Sequence, residues 1–97
     1  MFVHVVLLKF TPDTSEEHLE GIVRSLRALP ELVPSLVRYR VGRDLRLADD
    51  NAQIAVVAEF DDEDGYIAYR DDPNHRLVIT EQIQPHLESR SASQFSA

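Results

Sequence analysis

Phe2-Val3-His4-Val5-Val6-Leu7-Leu8-Lys9-Phe10, rich in Val and Leu and stopped by Thr11-Pro12, reads as a β-strand. Its two faces are Phe2, His4, Val6, Leu8 and Phe10 on one side, and Val3, Val5, Leu7 and Lys9 on the other. A strand in an antiparallel sheet with one wet face alternates apolar and polar residues. Here both faces are largely apolar, so both must be covered. A layer of helices covers one side, and the other side calls for a second sheet.

Outward from that strand, residues 14 to about 29 carry a helix. Thr14 and Glu17 have the spacing of a capping box, and Asp13, Glu16 and Glu17 suit the positive end of the helix dipole. Leu19, Ile22, Val23, Leu26 and Leu29 form one stripe at helical period, and Pro30 ends it. A second strand is expected over Leu36–Val41, turned by Gly42-Arg43-Asp44 and followed by a polar loop to Asn51. Ile54–Phe60 is a third strand, apolar on both faces except at Glu59. Asp61–Asp64 caps a short helix through Tyr66, Ile67 and Tyr69. Asp72 and Pro73 then open another, as N-cap and first helical residue. That helix carries Leu77, Val78 and Ile79 and kinks near Pro85. A polar run, Ser91–Phe95, is the last strand.

The order is β-α-β-β-α-β, the ferredoxin-like α+β arrangement, in one domain over residues 1–97. With helices on one side only, the far face of the sheet stays bare and apolar. The expectation is a homodimer in which two open sheet faces close on each other as a dimeric α+β barrel.

Composition bounds the function. A formal charge of −7 from 10 basic and 17 acidic residues leaves no basic face for nucleic acid. The chain has no cysteine, which removes disulfides, thiolate nucleophiles and iron–sulfur ligation. The apolar N-terminal run is too short to span a bilayer and lacks the flanks of a secretion signal, so no membrane is expected and the cytoplasm is the default location. His75 and His86 share a helix face but lie about 16 Å apart along it. No metal-ligand spacing, glycine-rich phosphate loop or nucleophile elbow occurs, so neither metal nor cofactor is expected.

The segment Tyr69-Arg70-Asp71-Asp72-Pro73-Asn74-His75 is where chemistry concentrates. With Pro73 first in its helix, His75 is third, inside the positive end of the dipole. That position disfavours the imidazolium and suits a general base. Asp71 and Asp72, if close, pull the other way. Tyr69 is placed to hold the imidazole or to donate to a carbonyl that becomes an enolate. His4, on the buried face of the first strand, is a third polar group for the same cavity. Each has a plainer reading: His75 as a cap or surface residue, Tyr69 as a core aromatic, His4 as a hydrogen-bonded core histidine. His18 and His86 read as solvent-facing helix residues with no role.

These residues resemble the stress-responsive A/B barrel domain family. The shared features are the strand-one histidine in Val3-His4-Val5-Val6-Leu7-Leu8-Lys9-Phe10, the Val41-Gly42-Arg43-Asp44 segment, the third strand into Phe60-Asp61, and Tyr69-x-x-x-Pro73-x-His75. The resemblance runs over nearly the whole chain and implies a dimeric α+β barrel. Most such proteins have no assigned activity, and some plant members are linked to stress. A plant polyketide cyclase among them closes a linear chain by an aldol reaction without a cofactor. Carried over to this chain, His75 is the base, Tyr69 its orienting or polarising partner, and His4 the strand-one histidine. Val6 and Leu8 then line the substrate pocket. The stripe with Ile22 and Val23 stands where that cyclase carries helix aromatics, which adds both as substrate contacts. The implied function is binding of a small, largely apolar molecule between sheet and helices, with cofactor-free acid–base chemistry. The alternatives are a non-enzymatic stress or scaffold oligomer, and a cofactor-free monooxygenase on the same kind of barrel.

Overall fold

A computed structural model describes residues 1–97. The strands are β1 (Phe2–Phe10), β2 (Arg38–Arg43), β3 (Ile54–Phe60) and β4 (Leu87–Ser96), and the helices are α1 (Glu16–Arg27), α2 (Glu63–Asp71) and α3 (Pro73–Val78). The strands form one antiparallel sheet in the order β2-β3-β1-β4, with the longest apolar strand, β1, in its interior. The fold is ferredoxin-like α+β, as the element order predicts.

All helices lie on one side. Val6, Leu8 and Phe10 of β1, and Ile54, Val56, Ala58 and Phe60 of β3, form the core with Leu19, Ile22, Val23 and Leu26 of α1. The other side is uncovered within the chain. Register places Gly42, Ala55, Leu7 and Ser91 in one row across it, then Arg40, Val57, Val5 and Ser93, then Arg38, Glu59, Val3 and Phe95. Leu7 is 45% and Phe95 50% exposed on this face. Val3 is buried but stands outside the core cluster.

Several boundaries differ from the sequence expectation. The N-cap of α1 is Ser15, whose hydroxyl accepts the His18 N–H at 3.0 Å. Thr14 is unavailable: its N–H bonds the Thr11 carbonyl, and its hydroxyl the Thr11 hydroxyl, in the turn through Pro12. The second strand starts later and continues through Gly42 and Arg43, which pair with Ala55 and Ile54. Arg43 pins that end to α1 by ion pairs to Glu16 at 2.6 Å and Glu20 at 2.7 Å. The reversal falls beyond it, where the Asp44 N–H bonds the Gln53 carbonyl and Arg46 and Asp50 adopt positive φ.

Pro85 has its expected effect. After α3 the chain widens into a π-turn over Ile79–Ile83 and tightens to a 3₁₀ turn over Gln84–His86. That path brings His86 against His18, ring centroids 4.2 Å apart, and the His18 Nε2 lies 2.7 Å from the Gln82 carbonyl. Both histidines are half-buried rather than solvent-facing, because the unwound segment folds back onto α1. The last strand is ten residues long instead of five, pairing along all of β1 from Phe2↔Ser96 to Phe10↔Leu87. Its polar side chains hide this from a periodicity reading, since backbone pairing with β1 holds it.

Candidate functional site

Between the sheet and the α2–α3 segment lies a cavity of about 360 Å³. Ligand sites start at about 300 Å³. Val6, Leu8 and Val56 form its sheet wall, and Leu26 of α1 closes one side. Ile79 and Ile83 of the unwound segment and Leu87 at the start of β4 complete the apolar part. His4, Tyr66, Tyr69 and His75 gather at the polar part, with Arg70, Arg76 and Arg90 also on the lining.

His75 is held from three directions. The Asp72 carboxylate caps α3 by accepting the Asn74 N–H at 2.8 Å, and Pro73 presets the first turn, so His75 is the third helical residue as expected. Its ring lies on Tyr69, centroids 4.0 Å apart and planes 30° from parallel. Its Nδ1 is 3.3 Å from the Arg70 carbonyl. A carbonyl can only accept, so Nδ1 carries the proton and the Nε2 lone pair is left to accept.

Burial pushes the His75 pKa below its usual value, the Arg76 charge pushes the same way, and the Arg70 carbonyl and Asp72 oppose them less strongly. The imidazole is therefore neutral near pH 7. The two aspartates barely counter this because both are otherwise engaged: Asp71 accepts two bonds from Arg70, and Asp72 is the cap.

Tyr69 is 3% exposed, and its hydroxyl lies 3.1 Å from that of Tyr39. Burial raises both phenol pKa values, so both stay protonated. When Tyr39 donates to Tyr69, the Tyr69 proton is free for a ligand oxygen. Tyr69 thus supports the imidazole by its ring face, and its hydroxyl is not bonded to His75.

His4 is 3% exposed and accepts a bond at Nδ1 from the Gln94 amide at 2.8 Å. Burial, then the charges of Arg90 and His75, lower its pKa to about 4. Its ring is 4.8 Å from Tyr66 and 6.3 Å from Tyr69. It is a neutral polar wall.

The structure brings His75, Tyr69, His4, Val6 and Leu8 to one cavity. It does not bring Ile22 and Val23 there. They are 0% and 3% exposed, sealed between α1 and the sheet, and the helix reaches the cavity through Leu26, one turn on. Tyr39, Tyr66, Gln94 and the arginines are absent from the sequence reading of the site. Tyr39 had a signal, since a phenol on the inward face of a strand needs a partner for its hydroxyl. Arg90 and Gln94 had none until β4 was seen to face Leu8 and His4.

A ferredoxin-like α+β domain with an apolar, histidine-headed cavity under its helices is the class that fold and site define. The chain belongs to the stress responsive A/B barrel domain family, whose model matches residues 2–97. No curated protein matches the chain. Among solved structures it is similar to a dimeric ferredoxin-like protein of unknown function from Thermobifida fusca YX, with 38% identity and a TM-score of 0.90, covering 99% of this chain and 90% of that one. It is also similar to the hydroxynitrile lyase of Passiflora edulis, with 16% identity and a TM-score of 0.82 over 97% of this chain and 90% of that one. A stress responsive A/B barrel family protein from Mesorhizobium loti has 14% identity and a TM-score of 0.81, covering 99% and 95%. These last two likenesses are of fold alone.

Proposed function

We propose that the chain dimerises through the open face of its sheet and binds a small, largely apolar carbonyl compound in the cavity, where His75 acts as a cofactor-free general base. His75 removes a proton alpha to the carbonyl, and the Tyr69 hydroxyl donates to the oxygen as it becomes an enolate. The observation that carries this is one arrangement: a neutral imidazole, tied back through Nδ1 and lying on Tyr69, at the wall of a cavity of about 360 Å³. The dimeric state of the Thermobifida fusca protein supports the first half. The apolar rows around Val5, Leu7 and Val57 support it as well.

The test is exchange of solvent deuterium into the alpha positions of an apolar ketone such as 2-octanone, followed by NMR. General-base help is worth roughly 10²–10⁴-fold, so His75→Ala should lose at least about 10²-fold and Tyr69→Phe less. Equal exchange by the His75→Ala protein overturns the mechanism. A second reading has its own support: His4 and Tyr69 are each 3% exposed and pack as core residues. In a purely structural oligomer, truncating them lowers the unfolding temperature, and removing the His75 imidazole leaves ligand binding untouched.

A further inference from the structure

The cavity lining contains three arginines and no aspartate or glutamate, in a chain with 17 acidic and 10 basic residues. Four of the nine guanidinium groups are taken up by carboxylates, and Arg27 bonds the Val41 carbonyl. Arg38 meets Glu59, Arg43 meets Glu16 and Glu20, Arg46 meets Glu16, and at the cavity itself Arg70 is committed to Asp71. Arg76 and Arg90, like Arg24 and Arg40, make no salt bridge or side-chain hydrogen bond, but only Arg76 and Arg90 of these four line the cavity.

They reach it from opposite walls. Arg90 stands on the helix-facing side of β4, opposite Leu8, and Arg76 follows His75 on α3. Arg90 shares the cavity lining with His4 and Tyr69, and its charge lowers the pKa of the first and opposes the rise of the second. Both are exposed residues, and a wholly apolar ligand would leave these two cations without a partner. A planar anion would return a charge-assisted, two-pronged contact with a guanidinium.

We propose that the cavity takes a small carboxylic acid, its carboxylate held by Arg90 with Arg76 facing it, and its hydrocarbon body against Leu26, Ile79, Ile83 and Leu87. This rests on the cavity being a ligand site, and it narrows the ligand from an apolar carbonyl compound to an oxo acid. Arg90 is then the residue that selects for charge, while His75 and Tyr69 meet the ketone oxygen and the adjacent C–H.

Hexanoate and hexanamide test it, since they share one hydrocarbon body and differ in charge. Binding is followed by chemical-shift changes at His4, His75 and Leu26 and by titration calorimetry. A hydrogen bond to a charged group is worth about ten- to a hundredfold in affinity. Hexanoate should therefore bind at least about tenfold tighter than hexanamide. The preference should vanish in Arg90→Gln and persist in Arg24→Gln, on the exposed face of α1 away from the cavity. Equal binding of acid and amide to the unaltered protein, or a preference that survives Arg90→Gln, overturns the carboxylate assignment and leaves the cavity as a ligand site. No shift with either probe overturns both.

Discussion

The imidazole of His75 stacks on the phenol of Tyr69, centroids 4.0 Å apart and planes 30° from parallel, while the Tyr69 hydroxyl bonds that of Tyr39 at 3.1 Å. The two ends of one tyrosine therefore do separate jobs. The ring shields and seats the base, and the hydroxyl belongs to a phenol pair that burial keeps protonated.

Two substitutions at Tyr69 should separate those jobs. Tyr69→Phe keeps the stack and leaves the Tyr39 hydroxyl without its partner, lowering stability by about 1 kcal/mol with little change at His75. Tyr69→Leu removes the ring face and wets the imidazole. The His75 pKa, lowered mainly by burial, should then rise toward 6.5 in an NMR titration of its ring protons. A titration curve unmoved by Tyr69→Leu would show that something other than the stack keeps His75 neutral.

What the sequence made readable is local or periodic. The double apolar face of Phe2–Phe10, the α1 stripe and the Asp72-Pro73 start of α3 follow from spacing alone, and they give the sheet, its helical layer and the placement of His75. What it concealed depends on distant partners. Ser15 caps α1 because Thr11 already holds Thr14. Gly42 and Arg43 extend β2 because Glu16 and Glu20 hold Arg43. The polar β4 becomes a strand, Arg90 becomes a cavity residue and Gln94 the partner of His4, only because β1 supplies the pairing. Ile22 and Leu26 share one helical stripe, and no periodicity says which of the two meets a void and which a neighbour.

That difference between Ile22 and Leu26 is measurable. Ile22 is 0% exposed and surrounded, so Ile22→Val should lose about 1 kcal/mol of stability and leave hexanoate affinity unchanged. Leu26 packs in the core and borders the cavity. Leu26→Ala should lose about 2–5 kcal/mol and also enlarge the cavity and change ligand affinity. Chemical denaturation and calorimetry on the same samples read both effects. An affinity that responds to Ile22→Val would place the ligand deeper than the cavity lies.

The open face gives a prediction about assembly. Val5 and Val57 sit side by side in the middle row, between Arg40 and Ser93, with Leu7 and Ala55 in the next row. A carboxylate placed there has no partner when two such faces meet. Sedimentation of the unaltered protein at micromolar concentration should give twice the 11.1 kDa chain mass, and Val5→Asp or Val57→Glu should return it to one chain. Because these side chains point away from the core, far-ultraviolet circular dichroism should change little. A single-chain mass for the unaltered protein would refute association through this face.

His4 ties stability to pH, and the sign follows from its environment. Its pKa falls from 6.5 in the unfolded chain to about 4 in the fold, because burial and the Arg90 charge disfavour the imidazolium. Between those values the unfolded chain binds a proton that the fold refuses, so stability declines as pH falls. The contribution is fully present above pH 6.5 and is lost on descent toward pH 4, amounting to on the order of 3 kcal/mol. Urea unfolding at steps from pH 7 to pH 4.5 should show this decline, which His75, with its pKa lowered in the same direction, steepens. His4→Gln, whose amide can still accept from Gln94, should flatten it, and Arg90→Gln should flatten it in part by removing the repelling charge. A slope identical in the protein with and without His4 would assign the acid sensitivity to other groups.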